Sequence, residues 1–322
     1  MYCIYTIKII YTMSFKYSDV ENIFKKIYSE KNKGKNASYI PDLKNVDTSI
    51  YAISICDVEG NVMNFGDFKT EIAIESASKV FSLALALEKH NISYLLNKIG
   101  NRDEKHSFNS IYDVIHTPNH TINSFVNAGA MATTSLLYDR ALSKENNEKQ
   151  IEKDILKCME NFTGRKLHIN NTLYLSEHRF SKTNRTIVGK LVSFNRFYGD
   201  PDIVLEAYTK QCSIMVTSKD IAIAAATLAA GGTNPITKKR VINTSNADYI
   251  VEHMAEHGLY NESSMWWEET NLPAKSGVGG VIMIVIPGIV GIGILSPPLD
   301  KYGNSYKGLK TGKMLANLPI YF

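Results

Sequence analysis

Cysteine is scarce in this chain and never grouped. The four present, Cys3, Cys56, Cys158 and Cys212, are far apart, with no C-x-x-C pair and no Cys/His cluster. That excludes a zinc ribbon and a disulfide-stapled scaffold and reads as reduced thiols of a cytoplasmic protein. The sequence also lacks any block of like charges, and its formal net charge is +4, so a nucleic-acid-binding surface is not expected. Internal repeats and low-complexity segments are absent. The apolar, Tyr/Ile-rich stretch Met1 to Thr12 has no small-residue cleavage site and is too short to span a bilayer. What remains is 322 residues with 44 % apolar and 21 % charged side chains, ordinary globular usage with room for a substantial core.

One segment imitates a membrane span. Val278 to Leu295 carries no charge over eighteen residues. Pro287-Gly288 interrupts its middle, however, and the flanking runs Val281–Ile286 and Ile289–Leu295 are β-branched, which predicts two buried strands joined by a tight turn. A polar helix is predicted over Tyr17 to Ser29. Strands over Ile50–Cys56 and Val62–Phe65 form a hairpin about Glu59-Gly60-Asn61. From Ser76 the apolar period becomes helical, with Val80, Phe81, Ala84 and Leu87 recurring on one face. Another helix, Ser218–Ala230, stops at Gly231-Gly232. The expected fold is therefore α/β of the α+β type: a mixed sheet built from N- and C-terminal strands, flanked by helices, with a helical insertion. The expected division is an extension over 1–13, a sheet region over 14–75 and 266–322, and a mainly helical region over 76–265. The active site lies between the last two.

The sharpest local feature is Ser76-Ala77-Ser78-Lys79. Residues three apart share a helix face, burial lowers a lysine's pKa, and a neutral amine can take a serine's proton. Alone, such a tetrad is more often a helix cap beside a surface lysine. Lys275-Ser276-Gly277, just before the apolar hairpin, changes the balance. Ser-x-x-Lys early, a helical stretch, then Lys-Ser-Gly on a late strand resembles the serine β-lactamase/penicillin-binding fold, in which a strand edge supplies an oxyanion-hole amide.

Within that fold the chain resembles the serine-dependent glutaminases from about Ala37 to Lys307. The resemblance rests on ordered blocks: Ala37-Ser38-Tyr39-Ile40-Pro41, Glu75 to Phe81, Val126-Asn127-Ala128-Gly129-Ala130, Ser176-Glu177 with Asn184, Tyr208 before Cys212-Ser213, Gly258-Leu259-Tyr260, Leu272 to Val278, and Ser296-Pro297-Pro298-Leu299-Asp300. It implies hydrolysis of L-glutamine to L-glutamate and ammonia through a γ-glutamyl ester on Ser76. It further implies Ser76, Lys79, Tyr208 and Tyr260 as catalytic residues, with Tyr39, Ser76, Asn127, Glu177, Asn184, Tyr208, Tyr260 and Val278 binding substrate. Glu177 suits the α-ammonium, Asn127 and Asn184 the backbone end of the amino acid, and the Ser76 and Val278 amides the oxyanion. Neither metal nor organic cofactor is expected, and the resemblance implies a homodimer or homotetramer without nucleic-acid or membrane partners.

Three departures stand out: Ala77 replaces a bulky residue, Asn101-Arg102-Asp103-Glu104 replaces a Glu-Pro-Ser-Gly-type loop, and Ser181 and Thr183 replace Gly and Arg. Two other readings compete. One is a β-lactamase or D,D-peptidase, against which no Ser-Asp-Asn or Tyr-x-Asn triplet stands between the two elements. The other is a glutamine sensor without activity, against which Ser76 and Lys79 are intact.

Overall fold

The computed structural model describes residues 15–319; Cys3 and the whole of the expected extension lie outside them. The central sheet contains β1 (Ala52–Asp57), β2 (Val62–Gly66), β5 (Ala274–Gly277), β6 (Val281–Ile286) and β7 (Val290–Leu295), in the order β2-β1-β7-β6-β5. A separate short ladder pairs β3 (Ile72–Ala73) with β4 (Met215–Val216). Pairing in the central sheet is antiparallel throughout, so its mixture lies in chain origin, not in strand direction. The first hairpin closes where Asp57 Oδ1 accepts from the amides of Gly60 and Asn61 at 2.8 and 2.7 Å. The second closes through Ile286-Pro287-Gly288-Ile289, with the Ile289 amide 3.0 Å from the Ile286 carbonyl and Gly288 at φ 73°. Proline followed by a positive-φ glycine is the chemistry of a type II turn.

Both faces of this sheet are buried, and that explains the uncharged run. Val281, Met283 and Val285 of β6 enter the larger core shared with the helices. The alternating Ile282, Ile284 and Ile286 enter a second core with Ile53, Ile55, Ile292 and Ile294. Period-2 alternation thus carries apolar side chains to both sides, and each such side chain contributes roughly 1.5–3 kcal/mol over its exposed state.

The helices that matter for the site are α1 (Tyr17–Ser29), α2 (Lys79–Lys89), α3 (Asn127–Ser135), α4 (Asn171–Phe180), α5 (Lys182–Ser193), α6 (Pro201–Cys212), α7 (Ser218–Ala229), α8 (Thr244–His257) and α9 (Tyr306–Ala316). α1 buries Val20, Ile23 and Ile27, one face at helical spacing. It packs beside α9 on the second core. α7 begins with a capping box: Thr217 Oγ1 accepts from the Asp220 amide at 3.2 Å and Asp220 Oδ2 accepts from the Thr217 amide at 2.7 Å. Arg165 grips the same carboxylate with two bonds of 2.7 and 2.6 Å.

The alanines of α7 lie directly on β7. A Cβ added at Gly291 would sit 2.0 Å from Ala226 N, and one at Gly293 2.2 Å from Ser218 O. Here glycine permits the helix backbone to approach the strand backbone. This packing holds β7 and its neighbours β6 and β5 at a fixed height against the helices, and β5 ends beside the Ser76 turn. Among the described residues no helix is long and apolar enough to cross a membrane.

Candidate active site

Ser76 sits in a 3-10 turn, Glu75–Ser78, which runs directly into α2. Glu75 takes φ 53° to enter the turn, a conformation uncommon outside glycine. Ser76 is 8 % exposed and Lys79 1 %. The Lys79 amine donates to the Phe125 carbonyl at 2.9 Å, to Asn127 Oδ1 at 2.7 Å and to the Tyr260 hydroxyl at 3.2 Å. Burial pushes its pKa down to about 7. The Tyr260 hydroxyl in turn interacts with the Ser76 side chain. Tyr260 therefore stands between the hydroxyl and the amine, which the helical spacing alone had paired directly.

A second buried lysine completes this cluster. Lys275 Nζ on β5 donates to the Tyr260 hydroxyl at 3.2 Å and to the Ser276 carbonyl at 2.8 Å, and lies 4.2 Å from the centre of the Tyr260 ring. Burial, then the neighbouring Lys79 charge, holds it well below the usual lysine range. Tyr260 itself has φ 53° and its ring packs on Phe108 at 4.9 Å. Burial raises its phenol, and the Ser76 interaction opposes that rise.

In front of Ser76 opens a cavity of about 470 Å³ lined by Tyr39, Ser76, Asn127, Glu177, Asn184, Tyr208 and Val278, with Glu75, Phe108, Asn109 and Cys212 among the other walls. Seven of the residues singled out from the sequence thus share one cavity, while Lys79 and Tyr260 stand behind the serine. Asn127 opens α3 and is the hub. Its Oδ1 accepts from Lys79 and, at 3.3 Å, from Tyr208; its Nδ2 donates to Asn184 Oδ1 at 3.1 Å. Tyr39, at 59 % exposure, stands at the mouth. The end of β5 runs against the serine turn: a Cβ placed on Gly277 would lie 3.2 Å from Ala77 N, so Val278 follows directly where the strand passes Ser76.

The far wall is acidic. A carboxylate oxygen of Glu75, one of Glu177 and the Cys212 sulfur lie within 4.8 Å of one another. Burial raises both carboxyls; the Glu177 charge adds to the rise at Glu75, and Glu177 itself reaches about 7. Two buried carboxyls this close disfavour each other's ionisation, so the pair holds a proton more readily than a free carboxylate does. Burial likewise keeps the Cys212 thiol protonated. Glu75, Lys275 and Cys212 were not among the residues assigned roles from the sequence, although each stands inside a block that carries the resemblance.

Comparison with known proteins identifies the chain's relatives. A sequence model of the family described as Glutaminase matches residues 34–319. A glutaminase of Colwellia psychrerythraea is 38 % identical over 283 residues, spanning 88 % of this chain and 89 % of that protein. One from Escherichia coli O81 is 40 % identical over 279 residues, spanning 87 % and 88 %. Among solved structures, a probable glutaminase, ybaS, superposes with a TM-score of 0.88 at 37 % identity, covering 94 % of this chain and 97 % of that one. A probable glutaminase from Bacillus subtilis, complexed with 6-diazo-5-oxo-L-norleucine, gives 0.80 at 29 %, covering 93 % and 92 %. These neighbours have the β-lactamase-like fold that the motif order implied. By the family match over residues 34–319 and these relatives, the chain belongs to the glutaminase family.

Proposed function

We propose that this chain hydrolyses L-glutamine by two-step acyl transfer at Ser76. The observation that carries this reading is the line Ser76, Tyr260, Lys79, in which a buried amine lowered to about 7 lies 3.2 Å from a phenol that the Ser76 side chain influences. Ser76 Oγ attacks the side-chain amide carbon, its proton passing through Tyr260 to Lys79. The Ser76 and Val278 amides hold the oxyanion. The intermediate collapses with proton return to the leaving nitrogen, ammonia departs, and water cleaves the γ-glutamyl ester by the same relay. Lys275 bears on the same phenol oxygen and keeps Tyr260 in place.

Recognition follows the charges of a free amino acid. Glu177 receives the α-ammonium, and Asn127, Asn184 and Tyr208 meet the carboxylate end. Tyr39 covers the entrance. An amino-acid diazoketone of glutamine's length bound to the Bacillus relative supports a cavity of this kind. Ser76→Ala should abolish ammonia release and leave glutamine binding measurable by calorimetry; full turnover in that variant would remove Ser76 from the nucleophile's role. The homodimer or homotetramer implied by the resemblance is checked by sedimentation of the purified chain. A cytoplasmic setting fits the buried free thiols of Cys56, Cys158 and Cys212.

A further inference from the structure

A second group of chemistry-bearing side chains lies at the C-terminal end of α8, where His253-Met254-Ala255-Glu256-His257 places two imidazoles one turn apart on one face. One donor atom each from His253, Glu256 and His257 lies within 4.8 Å of the others. His253 is 1 % exposed, and neither of its ring nitrogens has a hydrogen-bond partner. A buried polar atom left unmet costs about 1–3 kcal/mol, so two on one ring indicate a missing ligand. Its ring is packed among Phe125, Tyr249 and His257, and burial holds its pKa well below the ordinary value. Neutral imidazole is the form that binds metal.

His257, 2 % exposed, is braced from the other side. Its Nδ1 lies 3.3 Å from Glu104 Oε2, whose side chain is 4 % exposed, and its Nε2 lies 3.5 Å from Glu256 and 2.9 Å from Asn101 Oδ1. Glu104 stands close behind one ring nitrogen without hydrogen-bonding it, which leaves the other edge of the ring turned toward Glu256 and Asn101. Glu256 is exposed and lines, with His257 and Asn101, a cavity of about 1180 Å³ that shares no wall with the Ser76 cavity. That opening gives an ion its path and leaves room for water.

We propose that His253, Glu256 and His257 bind a divalent transition-metal ion of the zinc type, with Glu104 close behind His257 and the remaining position open to water or Asn101. Two imidazoles and one carboxylate with an open position suit Zn²⁺ and its borderline neighbours and disfavour Mg²⁺ or Ca²⁺. Tetrahedral coordination at about 2.1 Å needs donors about 3.4 Å apart, so the three donors, now within 4.8 Å of one another, draw together on binding. The bound ion ties the 101–104 loop to the helix that leads through Gly258 and Leu259 to Tyr260.

The test is calorimetric titration of the metal-free full chain with Zn²⁺, with Co²⁺ absorption spectra in parallel. Expected are one equivalent bound at micromolar affinity or tighter, intense visible Co²⁺ bands, and at least tenfold weaker binding in both Glu256→Gln and His257→Leu. Should His257→Leu fail to fold, Glu256→Gln, altered at an exposed carboxylate, still decides. No stoichiometric uptake, or uptake unchanged in Glu256→Gln, overturns the site.

Discussion

Lys79 Nζ and Asn127 Oδ1 are 2.7 Å apart, so the amide that faces the substrate also orients the base. An anion at that position would favour the charged amine and raise its pKa by about 1–3 units. In Asn127→Asp the pH at half-maximal kcat/KM should therefore move upward by at least about one unit, measured by coupled ammonia release. A midpoint that stays in place would separate Lys79 from the rate-controlling proton transfer.

Two groups give the wild-type profile its shape, and both act in the same direction. Lys79, lowered to about 7, must be neutral to accept a proton, and Glu177, raised to about 7, must be charged to hold an ammonium. Falling pH removes both forms, so kcat/KM should drop below neutrality with a limiting slope between one and two. Glu177→Gln should raise KM at least tenfold with a smaller effect on kcat, and leave a slope of one. A wild-type profile flat from pH 5 to 8 contradicts both assignments.

Asparagine tests the fixed anchor. It is one methylene shorter, and its amide cannot reach Ser76 while its ammonium stays on Glu177. A methylene is worth roughly 10–200-fold in such discrimination, so kcat/KM for asparagine should be lower by at least that much. Equal turnover of the two amides would show that the ammonium is not held in one place.

The close approach of α7 to β7 predicts a stability effect remote from the chemistry. Gly291→Ala forces a methyl to within 2.0 Å of the Ala226 amide nitrogen, and overpacking of this kind typically costs about 1–3 kcal/mol. Gly288→Ala has open space around the new methyl but φ 73°, a cost of about 1 kcal/mol. Urea unfolding should rank Gly291→Ala as the more damaging, and the reverse order would deny that backbone contact sets the helix-to-sheet spacing.

The elements that follow local rules were legible in the sequence. The polar helix expected over Tyr17–Ser29 is α1, the β-branched run forms β6 and β7 about Pro287-Gly288, and the predicted helix Ser218–Ala230 ends at Ala229. The residues lining the cavity came from matching blocks, not from periodicity. What escaped were relations made by packing over long distances. Nothing in Ser-x-x-Lys says that Lys79 will bond the carbonyl of Phe125, or that Tyr260 will stand between serine and amine. Lys275 was read as part of a strand motif, and Glu75 as the residue before the nucleophile. His253, Glu256 and His257 sit in α8, which reads locally as an ordinary amphipathic helix.

β1 pairs with β7 across most of the chain's length, and Val278, whose amide we assign to the oxyanion, comes from the same late segment. A ribosome that has released the nucleophile's turn still retains the strands that must stand beside it, so no partial product can be active. Loop closure over so many residues is slow relative to local helix formation. The enzyme should therefore gain activity late and all at once after synthesis, with its two lysines buried only when the last hairpin docks.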